Sequence, residues 1–206
     1  MTKFKIINII FEKMRMCSEE YWSKFECKNK QDDVLFKVLP VFQDIVENLQ
    51  VFNIEEFSLL LRYKECVVLY NEKQKKYLMK SSRNKEENEC VLCNIYYMHA
   101  INKHIIKIHS SLIDTGIMFL GPSGIGKTTQ AELWQKYRSS LIINGDIVFV
   151  QETESGFLGW GTPWHGSSPY CENTSVPLKA MVVLKQAEQN SIRELTGFEK
   201  VTEVSN

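Results

Sequence analysis

Residues 121–128 read Gly-Pro-Ser-Gly-Ile-Gly-Lys-Thr and satisfy G-x-x-x-x-G-K-[ST], the spacing with which a backbone wraps a polyphosphate. Gly121, Pro122, Ser123, Gly124, Ile125 and Gly126 form the wrapping turn, where missing Cβ atoms let N–H groups point inward. In such a loop Lys127 reaches the β- and γ-phosphates, the Thr128 hydroxyl ligates Mg²⁺, and Thr129 completes the phosphate-binding stretch. The chemistry this implies is binding of a nucleoside triphosphate, with Mg²⁺ as the accompanying ion.

Three further groups have side chains suited to the same chemistry. Asp146 ends the apolar stretch Leu141-Ile142-Ile143 and its Asn144-Gly145 turn, where a phosphate-loop protein needs a carboxylate for Mg²⁺. The competing reading is a plain turn aspartate. His109 lies on an expected strand beside the one that feeds the loop. Either it is satisfied structurally or it meets the γ-phosphate or the acceptor. Gly161-Thr162-Pro163-Trp164-His165-Gly166 is a second glycine-bounded loop. Gly161, Trp164, His165 and Gly166 would make it a substrate loop, and a core-capping Trp164 is the alternative. His99 and His104 are expected to be structural.

These residues need a scaffold that delivers them to one place. Ile117-Met118-Phe119-Leu120 reads as a buried strand running into the loop. Gln130–Tyr137 reads as a helix with Ala131, Trp134 and Tyr137 along one side. Strand, glycine loop and helix put bound phosphate on a helix N-terminus. Ile105–Ile113 is expected to pair antiparallel with Ile117–Leu120 through the Asp114-Thr115-Gly116 turn. Ile147–Gln151 and Phe157–Gly161 form a hairpin, and Ala180–Leu184 and Ile192–Leu195 read as two more strands.

Upstream, the candidate strands are Lys3–Phe11, Val34–Leu39, Phe57–Tyr63, Cys66–Tyr70 and Lys76–Met79. A polar loop over Ser81–Glu89 follows, then a helix over Cys90–Asn102 carrying Val91, Ile95, Met98 and Ile101. The organisation expected is mixed α/β: a β-rich module over residues 1–89, then a nucleotide-binding core over 90–206.

Composition bounds the rest. A chain of 206 residues with 44% hydrophobic side chains can build one core with a smaller appended domain. Equal numbers of basic and acidic side chains, 25 of each, give no reason to invoke nucleic acid or an anionic membrane. The Lys-rich stretch 71–86 reads as a solvated turn or loop. Phe4–Phe11 is too short to span a bilayer and lacks a signal-cleavage site, so the cytoplasm is the expected compartment. Six cysteines fit that compartment as thiols, and Cys90 and Cys93 lack the further ligands a zinc site needs. Homo-oligomerisation stays open.

In that order, Ile108-His109-Ser110-Ser111, the antiparallel return, GPSGIGKTT, Ala131-Glu132-Leu133-Trp134 and Ile143-Asn144-Gly145-Asp146 resemble HPr kinase/phosphorylase. They are more similar still to the HPr kinase-like proteins grouped with phosphoenolpyruvate carboxykinase, many of them found beside peptide-modification genes. The loop 161–166, Val176-Pro177-Leu178-Lys179-Ala180 and Leu184-Lys185-Gln186 resemble that group's downstream blocks. The likeness covers roughly residues 105–196, as the span of these blocks shows. It implies a carboxykinase-like core with a mixed sheet, Mg²⁺-ATP as donor, and a serine or threonine hydroxyl of a protein or peptide as acceptor. It also implies phosphate and Mg²⁺ handling by Lys127 and Thr128, His109 beside the transferred group, and Asp146 as the second member of an aspartate pair.

Gly145 stands where that family has the first aspartate. The chain stops at Asn206, where the family continues into a segment that helps build the acceptor site. A C-terminally short, non-catalytic ATP-binding protein is therefore the alternative expectation. A carboxykinase-type small-molecule phosphotransferase is the second, and Arg15, Arg62, Arg83, Arg138 and Arg193 form no recognisable carboxylate-binding motif for it.

Overall fold

The computed structural model describes residues 2–6, 9–13, 19–27, 37–40, 57–73 and 76–205, in two compact units, Met1–Ala100 and Ile101–Asn206. Both combine helices with a mixed sheet, so the chain is mixed α/β.

The N-terminal unit holds β1 (Thr2–Ile6), β2 (Ile9–Lys13), α1 (Glu19–Ser23), β3 (Lys37–Pro40), β4 (Ser58–Tyr63), β5 (Cys66–Asn71), β6 (Lys76–Lys80) and α2 (Lys85–Ala100). The described strands lie in the order β1-β2-β3-β6-β5-β4, parallel at β2–β3 and β3–β6 and antiparallel elsewhere. The stretch expected as one strand over Lys3–Phe11 falls in two antiparallel strands, with its residues 7 and 8 outside the described residues. Residues 34–36 of the expected strand Val34–Leu39 lie outside the described residues, as does Gln74 of the expected turn.

Helix α2 begins inside the stretch expected to be a loop, because side chains there satisfy its first turn. Asn84 Oδ1 accepts the Glu86 N–H at 2.8 Å, and buried Asn88 exchanges two bonds of 2.9 Å with the Ser82 backbone. Its buried arc runs through Asn88, Val91, Leu92, Ile95, Tyr96 and Ala100. Met98 and Ile101, expected on that face, are exposed at or beyond its rim. The units therefore part after Ala100 rather than after residue 89, and α2 belongs with the first. Cys93 is packed in its buried face, and the Cys90 thiol accepts from the Asn94 amide. Among the described residues no helix is long and apolar enough to cross a membrane.

The second unit contains β7 (Ile105–Ile113), β8 (Ile117–Leu120), α3 (Lys127–Arg138), β9 (Ile142–Asn144), β10 (Ile147–Thr153), β11 (Gly156–Trp160), β12 (Ser175–Pro177), β13 (Ala180–Val183) and α4 (Glu199–Ser205). The long strand β7 organises it. Its first half pairs with β10, its second half with β8 on one side and β9 on the other, all antiparallel. β11 and β12 extend the sheet beyond β10, and β13 lies parallel to β8 at the other end.

Ile108, Leu112, Met118, Leu120, Ile143, Val148 and Val150 form one core layer. Ile113, Phe119, Ala131 and Ile142 form another, with α3 laid over it and Trp134 alongside. Tyr137, expected on the same stripe, is exposed under the Lys136 ammonium. The expected strand Ile192–Leu195 is irregular backbone. Ile192 is exposed there, with no sheet face to bury it, and Arg193 instead binds Glu199 of α4.

Candidate functional site

Strand β8 ends at Leu120, and the chain turns at once through the loop 121–126 into α3. Two glycines make that turn possible. Gly124 (φ +79°) and Gly126 (φ +107°) both sit in the left-handed region, and a Cβ on either would project into open space. Gly126 is also the N-cap of α3 and offers no side-chain cap. The first amide bonded in the helical ladder is that of Gln130, to Gly126 O at 2.9 Å. The N–H groups of Lys127, Thr128 and Thr129 thus precede the ladder at the positive end of the helix. A row of uncapped amides over an open glycine cradle fits a polyphosphate.

Lys127 is 6% exposed, and its ammonium donates to the carbonyls of Gly121 (2.9 Å) and Pro122 (3.0 Å). Burial pushes its pKa down, against the upward pull of the Asp146 carboxylate. Thr128 is the second residue of α3. Its hydroxyl donates to Gly145 O at 3.1 Å, beside the buried Ser111 hydroxyl, which reaches the same carbonyl at 3.0 Å.

Asp146 follows Gly145 in the gap between β9 and β10. One carboxylate oxygen, Oδ1, accepts from His109 Nε2 at 2.8 Å, and both side chains keep exposed surface, 46% for His109 and 31% for Asp146. The other, Oδ2, faces Gly166, where a Cβ would come within 2.7 Å of it. Lys127, Thr128, Asp146 and His109 therefore belong to one continuous patch. The oxygens of Thr128 and Asp146 are of the type Mg²⁺ takes when substrate phosphates complete its shell. Among the described residues no group of three or more His, Cys, Asp or Glu side chains could hold an ion unaided.

The loop 161–166 divides between scaffold and site. Trp164 is buried with its ring on Phe149, centroids 5.9 Å apart. His165 Nδ1 bonds the Ser168 carbonyl and shapes the turn. Only Gly166 reaches the Asp146 carboxylate. Gly161 is a close-approach glycine: a Cβ there would meet Glu172 O at 1.9 Å. Gly161→Ala is accordingly expected to cost about 1–3 kcal/mol of stability, measurable as a lowered urea midpoint at unchanged m-value.

Three contributors were not singled out from the sequence: Ser111, Asn144 and Thr162, all wholly buried. Asn144 Nδ2 donates to Thr162 O at 2.8 Å, and its Oδ1 accepts the N–H groups of Asp146 (2.8 Å) and Ile147 (2.9 Å). Polar residues inside apolar strand patterns were the available signal. Asn-Gly-Asp reads equally well as an ordinary turn.

Against known proteins, the chain matches no family model and no curated sequence.

Proposed function

We propose that the second unit is an ATP-dependent phosphotransferase that moves the γ-phosphoryl group to a serine or threonine hydroxyl of a protein or peptide, in the manner of HPr kinase-like proteins. The observation that carries this reading is the His109–Asp146 pair lying beside Thr128 and the phosphate loop. A pure binding loop does not require a carboxylate held by an imidazole at its mouth.

Lys127 and the loop amides would neutralise charge on the transferred group, and Thr128 and Asp146 would hold Mg²⁺. When bound, Mg²⁺ would draw charge from the β- and γ-oxygens. The acceptor oxygen forms its bond to Pγ as the bond from Pγ to the β-bridging oxygen breaks. ADP departs, and the acceptor's proton passes to the His109–Asp146 pair. Gly166, with no side chain, lets its backbone pack against the Asp146 carboxylate and help hold it in place.

One observation favours a second reading, a protein that binds ATP without transfer. The space a side chain on residue 145 would need is filled by Ser168, so the site lacks a second carboxylate at that position.

The test is incubation of the full chain with γ-labelled ATP and Mg²⁺, together with peptides encoded beside its gene. Label recovered as phosphoserine or phosphothreonine supports the kinase. Saturable ATP binding with no label on any acceptor overturns transfer in favour of the second reading.

A further inference from the structure

The contact between His109 and Asp146 is one that a regular sheet forbids. β7 and the β9–β10 segment keep a single register across the gap: Leu112 faces Asn144 and His109 faces Ile147. That register puts Asp146 opposite Ser110 and Gly145 opposite Ser111. Directly opposed residues share a face and successive residues alternate. An unbroken ladder would therefore send the Asp146 side chain to the face of Ser110, away from His109. Yet the carboxylate and the imidazole are 2.8 Å apart.

The backbone bonds show where the ladder is broken. Ser110 N–H still donates to Asp146 O at 2.8 Å. Its reciprocal bond, from Asp146 N–H to the Ser110 carbonyl, is what an antiparallel pair of this type requires. The Asp146 N–H goes instead to Asn144 Oδ1, and so does the N–H of Ile147. The Asn144 side chain is anchored from its other end by Thr162 O. That side chain is wholly buried, and the Ile147 N–H also reaches Trp164 O, at 3.3 Å.

We propose that Asn144 is the positioning residue of the site: by taking the Asp146 amide out of the ladder, it turns the carboxylate onto the His109 face. Nε2–H of His109 is then the bonded tautomer, and the pair is formed before any substrate arrives. The catalytic consequence rests on the phosphotransfer reading. The positioning itself does not.

The experiment reads both separately. Long-range ¹⁵N–¹H spectra of the full chain at mildly alkaline pH should show His109 as the Nε2–H tautomer. Asn144→Ala, with its circular dichroism unchanged, should shift the His109 nitrogens towards tautomer averaging. Asn144→Asp keeps an oxygen for both amides and should restore the Nε2–H pattern relative to the alanine variant, at some cost in stability. In transfer assays kcat of Asn144→Ala should fall roughly 10–100-fold with the ATP dissociation constant within about twofold of the parent, as expected for a misplaced reacting group.

A wild-type His109 that is Nδ1–H or averaged would overturn the proposal even if every variant failed to fold. A folded Asn144→Ala protein with the parent's tautomer would do the same. Absence of transfer in the parent chain sinks the kinase reading alone, because the tautomer still decides the positioning.

Discussion

Lys127→Ala is expected to lower phosphoryl transfer by on the order of 10²–10³-fold or more, the loss found when one preorganised donor to developing charge is removed. The fold should survive. The Lys127 ammonium sits almost out of solvent, and burial depresses its pKa, so at neutral pH the protonated side chain carries a desolvation cost that its bonds to Gly121 O and Pro122 O offset. The sign follows from the folded pKa lying below the ordinary lysine value: this penalty is present at neutral pH and disappears as pH rises past the folded pKa. Removing the ammonium gives up two hydrogen bonds and the penalty together, leaving a net change within about 1 kcal/mol. A chemical-denaturation curve run beside the labelled-ATP assay separates the two effects. Unchanged transfer in a folded Lys127→Ala protein would refute the role given to this side chain.

The second large effect is expected at Gly145, and it concerns structure before chemistry. Gly145→Asp would supply the aspartate that the resemblance leaves missing, but the space for it is taken. A Cβ at residue 145 would lie 2.0 Å from Ser168 Oγ and 2.7 Å from Ser168 Cβ. Ser168 has little freedom to withdraw, since its hydroxyl and its N–H both bond His165 O, at 2.8 and 3.2 Å. Gly145 N–H is itself bound to Tyr170 O. Forcing this turn outward also displaces Gly166 from Asp146, and the new carboxylate adds like-charge repulsion beside the old one.

A loss of about 1–3 kcal/mol is expected for the overpacking alone, with transfer reduced rather than enhanced. Coupling provides the control: Gly145→Asp with Ser168→Gly should recover most of the lost stability, because the two positions share one space. A single variant as stable as the parent would show that the 165–170 turn yields more easily than these contacts suggest.

The strand–glycine loop–helix turn was legible because everything it needs is consecutive. Gly121 to Thr128 carry their own turn geometry, the apolar run before them is buried, and the 3.6-residue period after them marks the helix, which begins at Lys127, three residues before the expected Gln130. Asp146 was legible as a carboxylate at a strand end for the same reason. The start of α2 was not, since it rests on Asn88 reaching back to Ser82, where polar composition by itself reads as a loop. Nor was the absence of a strand at Ile192–Leu195, where Ile192 and Leu195 bracket two charged residues and, among the described residues, no neighbouring strand pairs with them.

By itself, then, the sequence determined a mixed α/β chain with a local glycine-rich turn between strand and helix, and the residue types that a bound phosphate would need. Only the tertiary structure decided which of those residues meet. A strand's period of two assigns His109 and Asp146 to opposite faces, and a buried side chain two residues before the aspartate reverses that assignment. It likewise put Trp164 in the core, Gly166 at the carboxylate and Ser168 in the place of a side chain at 145. Local spacing sets which groups can act, whereas competition for buried volume and for buried amide partners sets where they stand.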